Sequence, residues 1–199
     1  MLFLLFGEKK MKHNLATLFH RYIRWRHSKG YGVHSPYAYR FVTEVLKPGN
    51  YGYYAYHQLE SFNRNLKTRR VSFFREAKFL IRLAIFLKTK RIITYKEKYP
   101  EAQSVAKALK IIYYCYESNS SISFKEGDLM IIPSGVMIDS MLIQNAIEKN
   151  VPLFAINPSP GIRELLEIPI KHGVLFTGSS KILLIPRPQM EYVAYSINL

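Results

Sequence analysis

Four histidines, His13, His20, His27 and His34, recur every seven residues. Imidazole is the usual proton carrier near neutral pH and a frequent zinc ligand, so the spacing raises the question of a metal centre. Geometry excludes one shared ion. Seven residues climb ~10.5 Å along a helix, whereas the ligands of a single zinc sit only ~2.1 Å from it. His13, His20 and His27 also fall over ~100° from the apolar stripe centred on Leu15 and Tyr22, at ~100° per residue. They read as the solvated polar flank of a helix. Ser134, in Pro133-Ser134-Gly135, has the chemistry of a nucleophile but lacks the Gly-x-Ser-x-Gly elbow that would expose and activate it, so it reads as a turn serine. Cys115 lies in the apolar run Ile111–Tyr116 with no His or Lys inside the strand to draw off its proton, which makes it a buried strand residue. As the only cysteine, it excludes an internal disulfide and points to a reducing, cytoplasmic compartment.

The next chemical feature is charge. The chain of 199 residues carries a net charge of +15. Residues 1–91 hold 19 Lys and Arg against 4 acids, while residues 92–199 balance at 10 and 10. The densest piece, 61–91, contains Arg64, Lys67, Arg69, Arg70, Arg75, Lys78, Arg82, Lys88, Lys90 and Arg91, opposed only by Glu76. Arg75, Lys78 and Arg82 are spaced i, i+3, i+7 and share one helix face. Such a stripe is the footprint of a nucleic-acid or other anionic partner, and equally of a solvated face on a basic protein. Tyr51, Tyr53, Tyr54 and Tyr56 beside it would stack on bases or form a packing seam.

These residues need elements to position them. Residues 1–90 read as helices: one carrying Leu15, Leu18, Phe19, Tyr22 and Ile23 on its buried stripe and ending near Lys29-Gly30, then Tyr37–Leu46, Tyr56–Leu66 and Phe73–Leu87. Ser35 caps the second helix, and Pro36 suits its first turn because it has no N–H to leave unpaired. After Lys90 the pattern alternates. Strands are expected at Arg91–Thr94, Ile111–Tyr116, Leu129–Ile132 and Leu153–Ile156, with helices at Glu101–Leu109, Met137–Lys149 and Ile162–Leu166. That alternation gives a parallel sheet with helices on its faces. Gly173–Thr177, Lys181–Pro186 and Glu191–Ile197 follow as three strands in succession, with turns at Gly178-Ser179 and Pro188-Gln189, and suggest antiparallel strands closing the sheet's edge. Two parts result, a basic helical cap over 1–90 and an α/β domain over 91–199. No run reaches the ~18 apolar residues of a membrane span. Met1–Phe6 is apolar but precedes Glu8, Lys9 and Lys10, the reverse of a signal peptide, so Met11 reads as the translation start and 1–10 as a mis-assigned start or a loose tail.

A parallel sheet finished by an antiparallel hairpin resembles class I S-adenosylmethionine-dependent methyltransferases, a Rossmann-like three-layer fold. The tract Gly32-Val33-His34-Ser35-Pro36-Tyr37, then Tyr39-Arg40-Phe41-Val42 and Tyr53-Tyr54-Ala55-Tyr56, is similar to the opening of a bacterial O-methyltransferase-like group. Residues 20–60 carry the likeness in residues; the rest carries it in element order. The resemblance implies an S-adenosylmethionine site at the ends of the strands, with His34 either at the substrate mouth or as a structural turn residue bonded to the backbone. It also marks departures. No glycine occurs between Gly52 and Gly127, where such a protein has a glycine-rich loop that lets the backbone approach the cofactor. Tyr95-Lys96-Glu97-Lys98-Tyr99-Pro100 stands there instead. By the resemblance, Tyr95, Glu97, Glu117 and Ser134 would line a surviving pocket, with Glu117 on the ribose and Ser134 at the adenine edge. Asp128 and Asp139 are the only aspartates, which leaves no carboxylate cluster for Mg²⁺ and no metal expected.

Together these readings imply a divergent methyltransferase-like protein with weakened or lost catalysis, a pseudoenzyme. The alternative is a non-catalytic module whose basic helices, through 61–91 and Arg75, Lys78 and Arg82, bind nucleic acid or another anionic partner.

Overall fold

The computed structural model describes residues 17–47, 54–62, 71–117, 122–168 and 170–199. A helix α1 covers 17–28. It stops where Gly30 takes a φ of +87°, a position at which a Cβ would sit 2.9 Å from the Tyr39 ring. Helix α2 (Pro36–Phe41) opens as its sequence dictates, with Ser35 Oγ accepting from Ala38 N at 3.3 Å and Pro36 in the first turn. It runs on into a π-helical turn over Val42–Leu46. Helices α3 (Tyr54–Phe62) and α4 (Val71–Phe86) follow, and then the alternating part: β1 (Arg91–Tyr95), α5 (Pro100–Leu109), β2 (Ile112–Tyr116), β3 (Asp128–Ile132), α6 (Ser140–Glu148), β4 (Leu153–Ile156), α7 (Pro160–Glu167), β5 (His172–Thr177), β6 (Lys181–Glu191) and β7 (Val193–Ser196). Asp139 is the N-cap of α6, accepting from Met141 N at 3.0 Å, which starts that helix three residues later than Met137.

The seven strands form one sheet in the order β2-β1-β3-β4-β6-β5-β7. Strands β1 to β4 are parallel, and β6 alone runs the other way, between β4 and β5. The expected antiparallel pairing at the C-terminal end holds for β5 and β6, and is corrected for the third strand. No turn forms at Pro188-Gln189. Strand β6 continues to Glu191, the chain passes to the far side of β5, and β7 pairs with β5 in parallel. The prolines at 186 and 188 lie at the end of β6 where the ladder to β5 loses register, between His172↔Glu191 and Gly173↔Pro186. Gly173 is required there: at its φ of +139° a Cβ would meet Ile185 O at 2.5 Å.

Side chains alternate across the sheet and make two apolar layers. Ile92, Leu129, Ile131, Phe154, Phe176 and Leu183 face one side, where α2, α3, α4 and α5 bury Phe41, Leu59, Leu80 and Val105 against them. Ile93, Met130, Ile132, Leu153, Leu175 and Ile182 face the other, under Leu142 and Ile143 of α6 and Ile162 and Leu166 of α7. Helices α2, α3 and α4 of the helical tract thus join α5 in one layer over the sheet, with α6 and α7 as the layer beneath it. Phe41 stacks on Phe176 at 4.2 Å between centroids, and Phe176 on Tyr195 at 6.0 Å, joining α2 to β5 and β7. Lys181 at the start of β6 pairs with Glu76 of α4 and lies over the rings of Phe79 and Phe154.

Three expectations fail here. Leu18, Phe19 and Tyr22 face solvent rather than the core, while Leu15 and His13 lie outside the described residues. His27 is not a solvated flank: its Nδ1 donates to Ser196 O at 3.0 Å and its ring meets Tyr195 edge-on. Cys115 is half-buried, because β2 is an edge strand.

Asp128 opens β3 opposite Arg91 in the parallel register. Its carboxylate takes Arg91 Nε at 2.7 Å and Lys125 N at 2.7 Å, and Arg91 also reaches Ser123 O at 2.7 Å. Side-chain exposures of 12% and 2% make this a buried pair. Removing one member leaves the other charge uncompensated, at a cost of about 3–5 kcal/mol. Asp128→Ala is therefore expected to lower the unfolding free energy by about that much in urea titration. A loss under about 1 kcal/mol would mean the pair behaves as a surface bridge.

Candidate functional site

In an open parallel sheet, ligands settle outside the carboxyl ends of the strands, where successive connections leave in opposite directions. Here that point lies between β1 and β3: the chain goes from β1 to β2 on one side and returns to β3 on the other. The four residues proposed for a cofactor pocket, Tyr95, Glu97, Glu117 and Ser134, all lie at this end of the sheet. Tyr95 closes β1, Glu117 follows β2, and Ser134 follows β3. Their side chains do not converge alike. Tyr95 is buried in the layer beneath α6, whereas Glu97, Glu117 and Ser134 are exposed.

The loop after β1 shows how a glycine-free segment makes this turn. Lys96 takes a φ of +61°, in the region that glycine favours. Glu97 N donates to Tyr95 O at 2.7 Å, two residues back, which gives a γ-turn of the rare positive-φ kind. Lys96 N donates to Tyr116 O at 2.7 Å, tying the loop to the last carbonyl of β2. Tyr99 N donates to Tyr113 Oη at 3.0 Å, and Tyr113 Oη lies 2.9 Å from the buried Thr94 Oγ1. Burial, with Glu76 and Glu101 adding to it, pushes the Tyr99 phenol far above its ordinary pKa, so it stays neutral.

An S-adenosylmethionine site would need free N–H groups here for the methionine carboxylate, and the residues do not fit that need. The N–H groups of Lys96, Glu97 and Tyr99 are taken by carbonyl or phenol oxygens of the chain itself. Helix α5 begins with Pro100, which has no N–H, and carries Glu101 in its first turn, where its charge repels a carboxylate. Glu97 and Glu117 are acids of the right type near the end of adjacent strands, but both sit on the exposed rim. Among the described residues no group of three or more His, Cys, Asp or Glu could hold a metal ion. Three cavities are lined by described residues: one of about 490 Å³ between α3, α5 and β2, which reaches Pro100 and Tyr113 beside this loop, one of about 240 Å³ between α6 and α7, and one of about 400 Å³ among α1, α7, β5 and β7.

The basic stripe is also partly used inside the fold. Arg82 Nε donates to Val45 O at 2.6 Å and its other arm to Tyr56 Oη at 3.0 Å, so it pins α4 to the π-turn and to α3. Lys78 pairs with Glu60 at 2.8 Å and lies over the Tyr56 ring. Tyr56 is thus a seam residue, and Tyr54 is exposed with its hydroxyl accepting from Gln58. Arg75 is exposed, while Arg64, Lys67, Arg69, Arg70, Tyr51 and Tyr53 lie outside the described residues. His34 is exposed beside the capped start of α2, where the neighbouring Ser35 N donates to Tyr195 Oη at 3.3 Å.

Sequence reasoning missed the Lys96 turn and the Arg91–Asp128 pair. Lysine gives no signal for a positive φ. The pair had one: a lone Asp opening a buried strand, with an Arg opening its neighbour. Comparison of the chain with family models, with curated proteins and with solved structures gives no match.

Substitutions at two positions test this geometry. Lys96→Gly is expected to leave stability unchanged or raise it by up to about 1 kcal/mol, while Lys96→Val lowers it by about 1–2 kcal/mol, because a β-branched residue resists a positive φ. Equal urea midpoints for the two would refute the turn. Arg82→Gln is expected to cost about 1.5–3 kcal/mol through its lost charged hydrogen bonds. An unchanged unfolding free energy would return Arg82 to a purely surface role.

Proposed function

We propose that the chain is a divergent methyltransferase-like protein that no longer transfers methyl groups from S-adenosylmethionine and keeps the sheet as a binding scaffold. What carries the reading is the loop Tyr95–Pro100, where the N–H groups of Lys96, Glu97 and Tyr99 are spent on the chain's own oxygens at the place where the cofactor would need them. The likeness to methyltransferases draws support from the single reversed strand β6 set between β4 and β5, and from the Ser35-Pro36 cap in the Gly32–Tyr37 tract. Loss of catalysis draws support from Pro100 and Glu101 at the start of α5 and from the exposure of Glu97, Glu117 and Ser134.

Calorimetric titration with S-adenosylmethionine and S-adenosylhomocysteine tests this directly. No binding heat at millimolar ligand is expected. Micromolar affinity that Glu117→Ala abolishes would restore a working cofactor site with Glu117 on the ribose, and would overturn the reading.

A further inference from the structure

Helix α1 is mounted the wrong way round for a surface helix. Its inner side is polar: His27 donates to Ser196 O, and Ser28 Oγ accepts Asn198 N at 2.8 Å while donating to Arg24 O at 2.7 Å. Its outer side is apolar and aromatic. Leu18, Phe19, Tyr22 and Trp25 are exposed at 58%, 61%, 54% and 49%. Leu18, Tyr22 and Trp25 fall within ~60° of one another at ~100° per residue, so they form one strip. The Tyr22 and Trp25 rings stack at 6.1 Å, with Arg26 over the first ring and Lys29 over the second, each at 5.9 Å. A contiguous apolar strip of this kind marks an interaction surface.

Charge decides the occupant. Residues 17–47 carry six Lys and Arg against one acid, Glu44, which is already paired with Arg40. Lys47 stands beside Lys29, and its pKa is lowered by desolvation and then by that neighbouring ammonium. A second copy of the chain on this face would bring like charges together. A nucleic acid would take the cations and rings but leave Leu18 and Phe19 in water. An anionic bilayer satisfies all three features. Its acyl boundary takes Leu and Phe, its headgroup layer suits Trp and Tyr, and its phosphates meet the Arg26 and Lys29 cations set over those rings. We propose that the outer face of α1 docks the protein on the surface of anionic lipid membranes as a peripheral, reversible contact. No helix among the described residues is long and apolar enough to cross a membrane, and this contact does not require one.

Trp25 is the only tryptophan in the chain, so its fluorescence reports on this face alone. The full chain is mixed with vesicles of phosphatidylglycerol and phosphatidylcholine, and separately with phosphatidylcholine alone. The expected result is a blue shift of Trp25 emission and co-sedimentation with the anionic vesicles only, reversed by high salt. The Leu18→Ser, Phe19→Ser double variant is expected to weaken partitioning at least about tenfold. The Arg26→Glu, Lys29→Glu variant is expected to weaken it by about tenfold or more. All four positions avoid the inner face of α1, and an unchanged circular-dichroism melt confirms the fold of each variant. Unmoved Trp25 emission with anionic vesicles would overturn the proposal. So would equal binding to neutral vesicles, or a concentration-dependent dimer that already buries Trp25. Preferential quenching of Trp25 by single-stranded nucleic acid, with no lipid binding, would assign the face to that partner instead.

Discussion

Everything in this molecule follows from a sheet that is apolar on both faces. Four adjacent parallel strands need long crossovers, and the crossovers place helices above and below. Helices α6 and α7 close one face. The other is too wide for α5 alone, and α2, α3 and α4 supply the rest of its cover. That requirement ties the basic N-terminal helices to the sheet. Phe41 stacked on Phe176, Phe176 on Tyr195, and Glu76 paired with Lys181 are contacts between the helical tract and strands that lie far along the chain. A helical layer that completes the core has little freedom to swing as a lid.

The same constraint explains why two cations of the predicted stripe point to neighbours within the fold. Helix α4 is apolar on the side that meets the sheet, so its polar flank turns toward α3 and the π-turn. Arg82 and Lys78 lie on that flank. An arginine beside Val45 O and Tyr56 Oη bonds to both, since a carbonyl left without a donor in a half-buried seam costs more than an immobilised side chain. Sequence spacing assigns residues to a shared helix face. It does not say whether that face meets solvent or another helix.

The legible parts of the sequence were those set by local chemistry. Alternating apolar runs announced β1, β3 and β4 within a residue, because a strand buried on both faces permits little else. Ser35-Pro36 announced the start of α2, because capping is a local hydrogen-bond matter. Strand pairing at the C-terminal end was illegible. Whether β7 lies beside β6 or beyond β5 depends on which edge is free once the sheet has assembled, and Pro186 and Pro188 signal a break without signalling its direction. The candidate site was legible as a position, since the ends of β1, β2 and β3 meet wherever the sheet is parallel. Its chemistry was not, because the decisive feature is a backbone conformation at Lys96 that the side chain there does nothing to announce.

The orientation of α1 rests on a competition the helical pattern cannot show. Turning Leu18, Phe19 and Tyr22 inward would gain about 1.5–3 kcal/mol for each side chain fully buried. The surface they would meet is the end of β7, an edge strand, and an edge presents backbone groups that need partners. His27 meets Ser196 O, and Ser28 meets Asn198 N. Covering those groups with aliphatic carbon would leave a donor and an acceptor buried and unpaired, each at a cost of about 1–3 kcal/mol, while the edge is too narrow to bury the whole apolar strip in return. The polar side therefore wins the inner position. The rings and the cations beside them are left together on the outside, and that pairing of apolar strip with positive charge is what makes the face suited to an anionic lipid surface rather than to a copy of itself.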